Sequence, residues 1–138
     1  MNLEHIKILT AARMQQAREC IDDGKLLLSA GRGARTGINR AYYAAFYAVL
    51  ALLQTIGKSP RKHSGALALF DAEFVKTGFL SKELSMVLHQ LFDTRQEDDY
   101  QRIDPIPQGE AAEAIVLAER FVQAIRTYLV EKGYLDMG

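Results

Sequence analysis

A single apolar segment limits what this chain can fold into. From Ala41 to Leu53, thirteen consecutive residues include no charged or amide side chain. A helix needs about 20 apolar residues to cross a bilayer, so this segment is too short to do so. Apolar residues recur here at steps of three and four, which is typical of one stripe of a helix; they are Ile38, Tyr42, Ala45, Val49 and Leu53. Because a helix that is apolar on nearly all sides must be covered on most of them, the sequence predicts a buried central helix wrapped by others.

The opposite side of this central helix carries Arg40, Tyr43 and Tyr47. A buried phenol usually finds a hydrogen-bond partner, so this stripe is expected to face something polar, either a neighbouring helix or a cleft. Arginine interleaved with aromatic rings can also hold a phosphate and stack a base. Packing of the tyrosines in the core is the alternative interpretation.

The rest of the chain is predicted to be helical, with glycine and proline between the helices. We find no period-two alternation that would indicate strands. Five helices are expected, with these approximate bounds: the N-terminal residues to Ser29, Ala34 or Thr36 to Gly57, an N-cap at Ser59 followed by Pro60 to Gly78, Ser81 to the prolines Pro105 and Pro107, and Glu110 to Lys132. The prediction is one all-α domain over residues 1–138, an antiparallel four-helix up-and-down bundle with a short extra helix.

Composition excludes several classes of function. Seventeen basic and seventeen acidic residues cancel, so RNA or a nucleotide would have to be held by a local basic patch. The lone cysteine, Cys20, cannot pair within the chain, and the N-terminal residues do not resemble a signal peptide, so we expect a cytoplasmic protein that does not contact membrane. The sequence contains no phosphate loop, no paired Glu-x-x-His motif and no Cys-x-x-Cys motif. We therefore expect neither a metal nor a cofactor.

The fourth predicted helix carries an arginine on its apolar stripe. At about 100° per residue, Arg95 follows Leu84, Leu88 and Leu91 onto that stripe. One interpretation is an ion pair with Asp99 or Asp98 near the end of the helix. The other is that the stripe opens into a cleft or a dimer seam, where the guanidinium binds phosphate.

The segment that leads into the third predicted helix is basic. Lys58, Arg61, Lys62 and His63 lie together at its expected start, where unpaired backbone N–H groups favour an anion. A solvated basic turn is the alternative interpretation. If this segment, Arg95 and the Arg40 stripe form one site, the central and fourth helices must be neighbours with these faces toward each other.

Four ordered segments closely resemble the HEPN superfamily of small helical proteins; they are NRAYYAAFYAVLALL, KHSGALALF, FVKTGFLSKEL and LFDTRQEDDY. The match runs from roughly Ala12 to Leu129. The resemblance implies a homodimer that binds RNA or a nucleotide in the cleft between its protomers. It also implies the toxin-like half of a pair with a minimal nucleotidyltransferase encoded alongside. A non-catalytic nucleotide-binding or protein-interaction module is the alternative function.

HEPN ribonucleases carry an arginine and, a few residues later, a histidine, and they cut RNA without a metal. Arg95 matches that arginine, whereas Tyr100 stands where the histidine is expected. Histidine exchanges protons near pH 7, but tyrosine of ordinary pKa does not. In a continuous helix Tyr100 lies some 140° round from Arg95, so the two converge only if the helix ends before Tyr100 or if a second protomer supplies one of them.

The resemblance and the local patterns together define two sets of candidate site residues. The catalytic candidates are Arg95, Tyr100 and Asp99. The candidates for binding RNA or a nucleotide are Arg95, Asp98, Arg40, Tyr43, Tyr47, Lys62 and His63.

Overall fold

The computed structural model describes residues 2–100 and 103–137, with side chains in the fourth helix as far as residue 97. This part of the chain contains five α-helices and no strand. They are α1 (Leu3–Ser29), α2 (Ala34–Gln54), α3 (His63–Phe70), α4 (Lys82–Tyr100) and α5 (Gln108–Glu131), and a π-helical turn at Asp71–Val75 continues α3. The predicted all-α bundle of four long helices with a short extra helix is confirmed.

The central helix of the bundle is α2, as predicted. It contacts α1, α3, α4 and α5, and the stripe from Ile38 to Leu53 is fully buried, with no member more than 1% exposed. Several alanines on α2 also have no exposed surface and let the neighbouring helices come close; they are Ala41, Ala44, Ala45, Ala48 and Ala51. Protein therefore covers the apolar segment. Within the described ranges, no helix has both the length and the apolar character needed to cross a bilayer.

Gly24 lies in the middle of α1, where that helix packs closely against α5. A Cβ atom at this position would collide with the side chain of Ile115. Glycine in a helix interior costs about 1 kcal/mol relative to alanine, and here that cost accompanies the close approach of two helices. The glycine therefore marks a packing contact, while α1 continues to Ser29.

The predicted start of the third helix at Ser59 and Pro60 is wrong. α3 begins at His63, and Lys62 precedes it in an extended conformation with φ −103° and ψ 145°. The first helical hydrogen bond runs from the N–H of Ala66 to the carbonyl of Lys62. The preference of proline for a first helical turn is a local effect. It is overridden here because the ring of His63 packs against α2, which sets where α3 begins.

The π-helical turn is attached to α4 through Asp71. Its carboxylate accepts a hydrogen bond from the Ser85 hydroxyl at 2.6 Å and lies 2.7 Å from Nε2 of His89. Ser85 and His89 are one turn apart on α4, so Asp71 bonds along one face of that helix. Leu88 and Leu91 are buried in the core. This packing brings the second half of α4 against the tyrosines of α2.

Candidate functional site

Four aromatic residues of α2 form a continuous group that we call the aromatic cluster: Tyr42, Tyr43, Phe46 and Tyr47. Their ring centroids lie 5.3 to 6.3 Å from one another in the contacting pairs. Tyr42 has no exposed surface and Phe46 is 8% exposed, whereas Tyr43 and Tyr47 are partly exposed. The cluster therefore extends from the core to the surface, and its outer rings are open to contact from solution.

α3 places His63 on the aromatic cluster. The imidazole stacks on Phe46 with ring centroids 4.2 Å apart, and its Nδ1 lies 3.0 Å from the hydroxyl of Tyr42. Burial, and then the positive charge of Arg95, lower the pKa of His63 from its ordinary value of 6.5. The ring is consequently neutral at pH 7. As the first residue of α3, His63 remains partly exposed.

α4 places Arg95 over the same rings. Its Cζ atom lies 5.6 Å from the centre of the Tyr42 ring and 5.5 Å from the centre of the Tyr43 ring, which is the geometry of a cation–π contact. Phe92, one turn earlier, meets the ring of Tyr42 edge-on at 5.7 Å. Desolvation raises the pKa of Tyr42 although Arg95 acts in the opposite direction. Tyr42 therefore stays a protonated phenol near neutral pH.

Arg40 also contacts the cluster, but its donors are directed elsewhere. Its Cζ atom lies 5.4 Å from the ring centre of Tyr43. Its Nε and Nη2 donate to the amide oxygen of Asn39, and its Nη1 lies 3.5 Å from the sulfur of Cys20. Burial raises the pKa of the Cys20 thiol. Arg40 is therefore tied to protein groups within α1 and α2.

The structure brings together five of the sequence-predicted site residues: Arg40, Tyr43, Tyr47, His63 and Arg95. They belong to three helices, and the condition that α2 and α4 be neighbours is met. Lys62 is exposed and precedes His63 in the chain. The predictions for the side chains of Asp98, Asp99 and Tyr100 lie outside the described residues, and so does the predicted ion pair of Arg95 with either aspartate.

The backbone of α4 nevertheless bears on the predicted relation between Arg95 and Tyr100. The helix continues without a break to Tyr100, so positions 95 and 100 lie some 140° apart around one axis. The first condition for their convergence, a helix that ends before Tyr100, is not met. A second protomer remains as the way to bring the two positions to one ligand.

Sequence reasoning did not identify Tyr42 and Phe46 as parts of the site. Tyr42 was assigned to the buried stripe and Phe46 was not singled out, and both residues are buried. A signal was available for Tyr42, because a phenol on a fully buried stripe needs a hydrogen-bond partner. His63 is that partner, but no spacing along the chain could reveal a contact between residues 21 positions apart.

A surface groove away from the aromatic cluster could also hold a ligand in principle. Among the described side chains, no group of three His, Cys, Asp or Glu residues lies close enough to hold a metal ion. A groove of about 590 Å³ runs along α1 and the C-terminal residues, and Arg18, Arg126 and Asp136 help to line it. It contains none of the predicted site residues. The aromatic cluster combines rings, a guanidinium and an imidazole, so its chemistry makes it the stronger candidate.

The chain is similar in sequence to several known proteins. A family model described as the HEPN domain matches residues 10–128. A UPF0332 protein of Thermotoga maritima is 45% identical over 111 residues, which cover 80% of this chain and 83% of that protein. Two proteins of Methanocaldococcus jannaschii, each named "Putative toxin", are 37% and 32% identical. Their matches cover 71% and 87% of this chain and 67% and 88% of the relatives.

Proposed function

This chain belongs to the HEPN domain family, and on that premise we propose that it is a toxin-like protein that binds RNA at the aromatic cluster and Arg95. The support is the convergence of His63 from α3 and Arg95 from α4 on the tyrosines of α2. Exposed rings stack bases and a guanidinium neutralises phosphate. Since the whole chain carries no net charge, a local site of this kind is how it would attract a polyanion.

The functional unit in this proposal is a homodimer that works with a minimal nucleotidyltransferase. RNA or a nucleotide lies in the cleft between two protomers, and Asp98, Asp99 and Tyr100 shape that cleft. Family membership supports this unit, and so does the continuity of α4. With positions 95 and 100 on different sides of one helix, a second protomer would supply Tyr100 beside Arg95.

RNA binding is tested with fluorescence polarisation of a labelled single-stranded RNA. Arg95→Gln removes the charge over the cluster, and Arg120→Gln removes the same charge from an exposed position on α5. Loss of a hydrogen bond to a charged group weakens binding about tenfold or more, which is the result expected for Arg95→Gln. Arg120→Gln should match the wild-type protein. Equal affinity for all three proteins would exclude the aromatic cluster as the RNA site.

Cleavage of RNA without a metal is the enzymatic extension of this proposal. Tyr100 occupies the motif position where histidine would exchange protons near pH 7. If the cleft is otherwise competent, Tyr100→His should create or raise cleavage of single-stranded RNA or transfer RNA in the presence of a chelator. Arg95→Ala in the same background should abolish it. Absence of cleavage by all of these proteins supports the second candidate function.

A non-catalytic nucleotide-binding or protein-interaction module is that second candidate, and the tyrosine at position 100 favours it. In this version Arg95, with Lys62 and Arg40, neutralises phosphates and no proton is transferred. Calorimetric titration with ATP, GTP and a short RNA separates the possibilities. Heat released or absorbed on titration with ATP or GTP supports nucleotide binding. If none of the three ligands gives a heat of binding, the protein-interaction module is the function that is left.

A further inference from the structure

The contact between Tyr42 and His63 determines which nitrogen of the imidazole carries the proton. Tyr42 is fully buried, and within the described part of the chain its hydroxyl has one hydrogen-bond partner, Nδ1 of His63 at 3.0 Å. If Nδ1 were the donor, the phenolic proton would be buried without an acceptor, which native structures avoid. The hydroxyl of Tyr42 therefore donates to Nδ1. A neutral imidazole has one N–H, and in His63 it lies on Nε2.

The groups around His63 disfavour a second proton on its ring. α2 presents the phenols Tyr42 and Tyr43 and the ring of Phe46, and α4 presents the positive charge of Arg95. Lys62, next in the chain, is also basic. Desolvation and Arg95 both lower the pKa of His63. At neutral pH the partly exposed ring thus carries no charge and has its N–H on Nε2.

Accepting the proposed function as its basis, we propose that His63 is a neutral hydrogen-bond donor to an RNA phosphate oxygen and does not replace the missing motif histidine as a proton acceptor. A bare Nε2 would repel a phosphate oxygen, whereas Nε2–H binds it. Neutral histidine with a lowered pKa serves as such a donor in known enzymes. The stack on Phe46 and the bond to Tyr42 hold the ring in place, so little rotamer freedom is lost when the ligand binds.

The tautomer is tested without any ligand by nitrogen NMR of histidine-labelled protein near pH 7.5. Protonated and bare ring nitrogens resonate far apart, and the chain contains three histidines, so comparison with His63→Gln assigns the signals of His63. We expect a protonated Nε2 and a bare Nδ1. Tyr42→Phe should mix the two tautomers, while Tyr43→Phe, which removes a hydroxyl not bonded to His63, should leave the spectrum unchanged. A protonated Nδ1 in the wild-type protein would overturn the inference.

The donor role is tested with the same labelled RNA as the proposed function. His63→Phe keeps an aromatic ring on Phe46 but removes the donor, and affinity should fall about tenfold. His63→Gln supplies an amide N–H and should restore affinity to within about threefold of wild type. Wild-type affinity in His63→Phe, or equal losses in both variants, would overturn the donor role. If the wild-type protein binds no RNA, the proposed function and the phosphate contact both fail, while the nitrogen spectra still decide the tautomer.

Discussion

Removal of one oxygen atom from Tyr42 is the sharpest test of the contacts described above. Tyr42→Phe deletes the hydroxyl that donates to Nδ1 of His63 and leaves the buried ring in place. A hydrogen bond of this kind contributes about 0.5–1.5 kcal/mol net to stability. We therefore expect the free energy of unfolding to fall by about 1 kcal/mol, which for a domain of this size lowers the melting temperature by about 3–5 °C.

Urea unfolding followed by circular dichroism measures this loss. The slope of free energy against urea concentration should not change, because the same surface is exposed on unfolding. Tyr43→Phe is the matched control, since it deletes the same atom from the neighbouring, partly exposed tyrosine. It should cost less than about 0.5 kcal/mol, as substitutions away from buried polar contacts do.

A double-mutant cycle with His63→Ala assigns the loss to the contact itself. In the His63→Ala background the Tyr42 hydroxyl has lost the partner seen in the structure, so Tyr42→Phe should become neutral or stabilising. The coupling energy between the two sites should be about 1 kcal/mol. If Tyr42→Phe costs the same in both backgrounds, the hydroxyl contributes nothing through His63 and the assignment of its proton is wrong.

Three further outcomes follow from the structure. The pKa of His63 is lower in the folded than in the unfolded protein, so the free energy of unfolding should hold its full value above about pH 6.5 and fall as the pH drops below that value. Urea midpoints at two pH values measure this loss. His63→Gln should make the loss smaller. Arg95→Gln should raise the pKa of His63, because the positive charge of Arg95 lowers that pKa. A proton NMR titration measures the change, and an unchanged pKa would contradict the prediction. Gly24→Leu should cost about 2 kcal/mol or more in urea unfolding, since its side chain would collide with Ile115, whereas Gly109→Ala, with open space around it, should unfold like wild type.

The features that the sequence predicted well depend on local periodicity. The apolar stripe from Ile38 to Leu53 predicted a central helix, and these residues are buried in α2. The first helix was expected to end at Ser29, and α1 does end there. In both cases the information lies within a few helical turns, where side-chain direction follows directly from residue number.

The features that were missed depend on contacts between distant parts of the chain. Ser59 and Pro60 have the local character of a helix start, yet α3 begins at His63, whose ring stacks on α2. Tyr42 was treated as core alone because its hydrogen bond joins two different helices. The contacts of Arg40 with Asn39 and Cys20 were not predicted either, and its role in holding phosphate stays a prediction. The sequence shows which residues are apolar, but it does not show which polar atoms form hydrogen bonds with one another when the helices pack.

The central position of α2 couples ligand binding at the aromatic cluster to the folding of the bundle. His63 and Arg95 reach the aromatic cluster only while α3 and α4 pack on α2, so neither α3 nor α4 can detach without dismantling the proposed site. Any molecule that occupies the site must therefore stabilise the entire bundle, by about 2.7 kcal/mol at a hundredfold excess over its dissociation constant. Thermal-shift screening of nucleotide and oligonucleotide collections would therefore test the proposed site without an activity assay.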